Sequence, residues 1–391
     1  MNEAVQHTRS LHTQSLPAWT YRDPAFFELE RERVFLRSWQ LVCHRNDIPE
    51  PGDFFTLDLA GEPVFVVRDQ QQGIRAFFNV CSHRASRLLD GPQGRCGRRI
   101  VCPYHAWSYA LDGTVFGVTH RRDFEDFDPA DHGLVPVETE QALGFVFVRI
   151  LPGGPSVHEL LEPYLEELAA YRIEEMQPLG RITLRPRPVN WKNVADNYVD
   201  AQHIRPAHPG LSSLVGDSYG VEVRGSMHKM WGRLEPTPDA GPSVRAYTKF
   251  LPEAEHLRPE QRRLWAYYRM WPNLAFDVYP DQIDFMQFLP ISATETLIRE
   301  IPYALPDTRR EMRAARYLNW RINRVVNRED TALIQRVQDG MASASFTVGP
   351  LAASEVCLRD FATRMREAIP EACHPRKPDE PARAVTVGVG Q

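Results

Sequence analysis

Two short stretches constrain this chain more than any other feature: CSHRASRLL from Cys81 and CPYHAWSY from Cys102. Each supplies one cysteine and one histidine, as Cys81-x-His83 and Cys102-x-x-His105. A fold that uses them must bring two loops together so that two thiols and two imidazoles converge. The chain has only six cysteines in 391 residues, too few and too scattered for a disulfide framework, so paired Cys and His point to metal. Cys96 lies between the two loops without a paired histidine and reads as a spare thiol.

A structural zinc site would use the same four groups, but zinc loops usually supply like ligands, two Cys from one and two His from the other. Here each loop gives one of each. That mixture suits a [2Fe-2S] centre in which one iron takes two thiolates and the other two imidazoles. Cys81 and Cys102 then bind the first iron, and His83 and His105 the second. Pro103 stiffens the second loop, and Trp107 and Tyr109 are placed to keep water away. CSHR, followed by CPYHAWSY and LDGTV, resembles the Rieske domain of ring-hydroxylating oxygenase large subunits. The 18 residues between His83 and Cys102 are long for that family, and the GPQGRCGRR turn accounts for the excess.

A second constellation lies in NWKNVADNYVDAQHIRPAHPG, from Asn190 to Gly210. His203 and His208 are five apart, a spacing that separates them around an ideal helix. Pro206 and Pro209 predict that the helix ends near Ile204. His203 then projects from its end and His208 from the following loop, where the two can converge. Two histidines with one carboxylate form the facial triad of non-haem Fe(II) oxygenases, which leaves positions open for O2. The stretch resembles the catalytic motif of the same family, with two departures: Asp196 stands where Glu is more usual, and Gln202 where Tyr commonly precedes the first His. Asp200, three residues before His203, is expected on the same helical face. The resemblance implies that it links the mononuclear site to a Rieske histidine of the neighbouring subunit.

The third ligand must come from elsewhere. A helical pattern over residues 308–340 places Leu318, Ile322, Val326, Leu333, Val337 and Met341 on one stripe. Glu329 and Asp330 fall at its two margins, and periodicity does not choose between them. REDTALIQRVQDG resembles the family segment in which the Asp after Glu binds iron, which implies Asp330.

Around these motifs, FFTLDL, PVFVVRD, IRAFFNV and GFVFVRI are short, rich in Phe and Val, and separated by Gly, Pro and Asp-Gly turns. They predict an all-β domain over 41–152, closed by the breaker cluster Leu151–Pro155. VHELLEPYLEELAAY reads as a helix, and VEVRGS, LAFDVYP, QIDFMQFLP and TLIREIPY as antiparallel strands. The expected fold is α+β. An N-terminal all-β Rieske [2Fe-2S] domain precedes a helix-grip (START-like) catalytic domain over 153–373 with an antiparallel sheet. A helical segment over 1–40 is expected to pack on the catalytic domain, and a Pro- and charge-rich tail over 374–391 to be loose.

The resemblance implies an oxygenase. A separate flavin or iron-sulfur reductase, or a ferredoxin, delivers electrons from NAD(P)H to the Rieske cluster. They pass to Fe(II) held by His203, His208 and Asp330, which activates O2 beside a small substrate. The chain has no GxGxxG dinucleotide motif of its own. The family also implies a head-to-tail homotrimer. Chain length and EDTALIQRVQDG resemble the large subunits that oxidise quaternary ammonium compounds, which favours hydroxylation or N-demethylation over cis-dihydroxylation of an aromatic acid. A non-enzymatic electron carrier and a zinc-stabilised binding protein are the rival classes. A net charge of −5 argues against nucleic acid. No apolar run reaches the roughly 18 residues of a membrane helix. The N-terminus has no apolar core for a signal peptide, so a cytoplasmic protein is expected. For the substrate, Arg205 either pairs with a carboxylate or faces solvent. Trp231, Tyr268, Trp271 and Tyr279 either pack strands, stack on an aromatic ring or cage an ammonium.

Overall fold

The computed structural model describes residues 11–378. The chain divides into two compact units. Among the described residues, one comprises Phe35–Glu162 and Arg172–Pro178; the other comprises 11–34, Pro163–Tyr171 and 179–378.

The first unit is built of antiparallel sheets, because its Phe- and Val-rich segments alternate faces and are cut short by turns. A four-stranded sheet runs in the order Ile74–Phe78, Glu62–Arg68, Asp53–Leu59, Gln93–Arg95. A three-stranded sheet follows as Arg99–Val101, Ser108–Ala110, Val115–Gly117, and another as Gln40–His44, Phe145–Arg149, Glu138–Ala142. At the Asp112-Gly113 turn, the backbone N–H of Thr114 donates to Asp112 Oδ1 at 3.0 Å. Gly113 has φ +91°, and a Cβ there would lie 2.4 Å from the Phe77 ring, so only glycine fits. Phe54, Phe65, Phe77, Trp107 and Tyr109 form a core that also contains the Cys81 and Cys102 side chains.

In the second unit, antiparallel strands run in the order Thr183–Arg187, Glu295–Ala304, Ile283–Ser292, Leu274–Val278, Leu264–Met270, Met227–Arg233, Gly220–Arg224. The long helix Arg310–Met341 packs on this sheet: Ala315 and Ile322 share a core with Trp265 and Tyr279. The fold is α+β, a mixed helix and antiparallel-sheet unit alongside an all-β one. Asp23 accepts the Phe26 N–H at 2.9 Å and Pro24 opens the helix Pro24–Glu30, so the Asp-Pro start reads as expected. The tail expected from residue 374 falls mostly outside the described residues; within them, Lys377 Nζ donates to Asp23 Oδ2 at 2.5 Å.

Three local expectations are corrected. The stripe on the long helix holds at Ile322 and Met341, but Val337 is 47% exposed, and Ile334 and Gln338 are buried instead. Gln338 occupies a core position because both ends of its amide are hydrogen-bonded. Its Oε1 accepts from Asn190 N (2.7 Å) and Asn193 Nδ2 (2.8 Å), and its Nε2 donates to Tyr21 O (3.2 Å). The helix bearing the NWKNVADNYVD motif stops at Val199, before the prolines act, and Asp200 is its extended C-cap. His203 therefore lies past the helix end, and Asp200 does not share a helical face with it. Pro206 falls inside the short helix Ile204–Ala207, and Pro209 opens another, Pro209–Val215.

Candidate metal centres

The two Cys/His loops have the same backbone geometry despite their different spacings. In the first, Cys81 N–H donates to Ser86 O and Ala85 N–H returns to Cys81 O; in the second, Cys102 N–H donates to Trp107 O and Ala106 N–H returns to Cys102 O. Both alanines take positive φ, at 55° and 56°. The His83 and His105 rings stand 4.6 Å apart, and Trp107 stacks on His83 at 4.7 Å. The Tyr109 hydroxyl lies 3.1 Å from Cys81 Sγ. Burial pushes the Cys81 thiol above its ordinary value. Burial acts the same way on Cys102, but the N–H groups of Tyr104 and His105 outweigh it and hold that thiol below its ordinary value. The Nδ1 atoms of both histidines are buried without a hydrogen-bond partner. Two orphaned imidazole nitrogens beside two buried thiols fit a cluster with mixed ligands, because buried polar atoms are otherwise satisfied.

The second constellation also assembles. One ligand atom from each of His203, His208 and Asp330 lies within 4.8 Å of the others. Asp330 Oδ1 is 3.0 Å from His208 Nε2 and 3.5 Å from His203 Nε2. Each imidazole turns its other nitrogen toward a second carboxylate: His208 Nδ1 lies 2.8 Å from Glu329 Oε2, and His203 Nδ1 lies 3.2 Å from Asp200 Oδ2 without hydrogen-bond alignment. Metal-binding histidines are oriented in this way. Glu329, the alternative left open by periodicity, thus faces the far side of His208. Asn197 Nδ2 donates to Asp330 Oδ1 at 3.0 Å, a contact the motif gave no means of foreseeing. Burial draws the His203 imidazole down, but Asp200 and Asp330 overcome it and push it up to about 9; Asp330 is held at about 2 by His203 and His208 against its own burial. Three carboxylates crowd two imidazoles, a donor set that fits a divalent iron.

A cavity of about 100 Å³ lies beside His203, His208 and Asp330. Its wall is a row of strand residues. Asp277 faces Asp284 directly across the strand pair, and Tyr267 faces Asp277 from the next strand. Tyr198 donates to Asp277 Oδ1 at 2.5 Å, and Gln282 Nε2 to Asp284 Oδ1 at 2.8 Å. Burial raises Asp277 to about 6; burial and the neighbouring Asp277 raise Asp284 well above the usual carboxylate range. Neither acid has a Lys, Arg or His ion-pair partner among the described residues. Tyr198, Tyr219, Tyr267 and Phe288 supply the aromatic lining. The four aromatics singled out in the sequence are absent from it: Tyr268 and Tyr279 are buried, and Trp271 packs on Phe361. Trp231 sits under Lys229. Arg205 is exposed and pairs with Asp217.

Comparison with known proteins adds the family. Residues 38–128 match the Rieske [2Fe-2S] domain and residues 165–371 the ring hydroxylating alpha subunit catalytic domain. The chain belongs to the Rieske non-haem iron oxygenases. The carnitine monooxygenase oxygenase subunit of Escherichia coli (strain K12) is 31% identical over 338 residues, 85% of each chain. The chloroplastic choline monooxygenase of Beta vulgaris is 27% identical over 342 residues, 85% of this chain and 72% of the relative. A crystal structure of the quaternary ammonium Rieske monooxygenase CntA with an inhibitor aligns with TM-score 0.79 and 25% identity, covering 93% of this chain and 98% of that one. The chain is therefore an enzyme, the oxygenase component of a multicomponent system. It carries a Rieske cluster and a mononuclear iron and depends on a reductase for electrons. The carrier and zinc-protein readings fall away with that, and the monooxygenase relatives favour monooxygenation over ring dihydroxylation. Among the described residues, no helix is long and apolar enough to cross a membrane.

Proposed function

We propose that this oxygenase oxidises an N-methyl group, or a carbon close to the nitrogen, of a small methylated ammonium compound. The observation that carries the reading is the facing pair Asp277 and Asp284, half-buried in the cavity wall, without a cationic partner among the described residues and flanked by tyrosines. Two like charges directly opposite on a sheet are costly. A cation between them relieves that cost, and tyrosine faces add cation–π attraction. The relatives named for carnitine and choline support the same chemistry.

Cys81 and Cys102 would hold one cluster iron, His83 and His105 the other, and His203, His208 and Asp330 the mononuclear iron. Asp200 orients His203 and is the candidate link to a Rieske histidine of a neighbouring subunit in a homotrimer. When bound, the iron supplies the O2 chemistry and the cluster the electrons. The chain's own residues orient both imidazoles and place the ammonium in a cavity closed by tyrosines. The overall balance is C–H + O2 + 2e⁻ + 2H⁺ → C–OH + H2O, and a hydroxymethyl group on nitrogen then leaves as formaldehyde. NAD(P)H acts through the partner reductase, and the setting is cytoplasmic.

The test uses anaerobically purified protein. About three irons per chain and a Rieske-type EPR signal on reduction are expected. Asp330→Ala should lose about one iron while keeping the cluster spectrum. With a reductase, trimethylammonium compounds should release formaldehyde. Turnover of an aromatic acid to a cis-diol, with every trimethylammonium compound inert, would overturn the substrate reading.

A further inference from the structure

The inner cavity does not end at its acids. A second cavity, of about 1,610 Å³, shares Arg185, Arg187, Asp284 and Glu300 with it. Both arginines lie on the edge strand Thr183–Arg187, with Arg185 opposite Ile298 and Arg187 opposite Thr296 of the strand Glu295–Ala304. Arg185 pairs with Glu300. Arg187 has no carboxylate partner among the described residues; its Nη1 reaches only the carbonyl of its neighbour Pro186, at 3.1 Å. The Nε groups of both arginines are buried without an acceptor. Burial disfavours the charge on each, and Arg187 adds repulsion to Arg185. Two arginines and two acids meet at this junction, but only Arg185 and Glu300 pair; among the described residues Arg187 keeps an unpaired positive charge, and both Nε donors are unmet where the inner cavity meets the outer one. The outer cavity reinforces the sign with Arg181, Arg313, Arg321, Arg324 and Arg328.

Native proteins rarely leave buried N–H donors unmet, and guanidinium forks match carboxylates in shape and charge. The polarity therefore runs from acids near the iron site to arginines at the mouth. We propose that Arg187, with Arg185 beside it, is a carboxylate-binding subsite, so that the substrate is a zwitterion carrying an anionic end several atoms from its methylated nitrogen. This rests on the ammonium reading above and goes beyond it. The relatives include enzymes named for a zwitterion and for choline, which has no carboxylate, so their names do not decide the matter. A simple cation meets like charge at the mouth of this site; a zwitterion meets opposite charge at both ends.

The test compares ligands that share a trimethylammonium head: glycine betaine and 4-trimethylammonio-butanoate, which carry a carboxylate, and choline, which does not. Calorimetric titration of the anaerobic, iron-loaded full-length protein reads affinity without turnover. At least one carboxylate ligand should bind about 30-fold tighter than choline, the lower end for removing one partner of a desolvated charge pair. In Arg187→Met, with its cluster spectrum intact, that ratio should collapse toward one, and Arg187→Lys should restore part of it. Choline binding as tightly as both carboxylates, or a ratio that survives in Arg187→Met, overturns the subsite. If no trimethylammonium compound binds at all, the ammonium reading fails first and this inference falls with it.

Discussion

In the proposed ammonium site, Asp277 would serve binding at a cost to folding. Burial raises it to about 6, so it is ionised above that pH and protonated below. The groups that face it are Asp284 from the neighbouring strand, Tyr267 from the other side, Tyr198 from the helix and Tyr279 two residues on. For folding, a carboxyl raised above its unfolded value contributes most at low pH, and that contribution is lost as pH rises from about 4 to about 6. For a cationic ligand the sign is opposite, since only the ionised form attracts it. Choline affinity should therefore fall by up to about tenfold between pH 7 and pH 5, and Asp277→Asn should bind more weakly with a flatter profile. Titration at several pH values checks this; a flat wild-type profile would remove Asp277 from the ammonium site.

At the scale of elements, the helix Trp191–Val199 carries Asn197 to Asp330 and sets the start of the loop that presents both histidines. It is anchored by a wholly buried ion pair. Lys192 Nζ meets Glu30 Oε1 at 2.5 Å and Thr20 O at 2.9 Å, and Trp191 Nε1 donates to Glu30 Oε2 at 3.1 Å. Glu30→Ala leaves a buried ammonium unpaired, and urea unfolding should show a loss of about 3–5 kcal/mol. The double change Glu30→Met with Lys192→Met should recover most of it, because the desolvated pair itself contributes little net stability. A mild single variant would show that the pair does not anchor the helix. The same elements show what was legible in the sequence. The convergence of Cys81, His83, Cys102 and His105 was, because its signal is local spacing. The strands FFTLDL and PVFVVRD were, because alternation is local too. Gln338 was not, since a polar residue at a core position is satisfied by Asn190 and Tyr21, which lie far away in sequence. Asp277 and Asp284 become a pair only through strand register. A carboxylate inside each apolar run, LAFDVYP and QIDFMQFLP, was the available signal, because a buried acid calls for a partner.

At the scale of the whole molecule, each chain holds a cluster site and an iron site, and the homotrimer proposed above, as a head-to-tail ring, predicts that they work in pairs from different subunits. A closed heterologous ring gives each subunit one junction with the next. One variant, His83→Ala, should lack a functional cluster but keep the mononuclear site; the other, Asp330→Ala, should do the reverse. Each alone should be inactive with a reductase and substrate. Co-expressed in equal amounts they mix at random, and a productive junction needs an intact cluster in one subunit beside an intact iron site in the next. That arrangement occurs at about one junction in four, so turnover per chain should recover to about a quarter of wild type. Transfer within a single chain predicts no recovery at any mixing ratio, because no chain then holds both sites. Recovery that tracks the mixing ratio would place Asp200, which already faces His203 at 3.2 Å, on the side of the site from which electrons arrive.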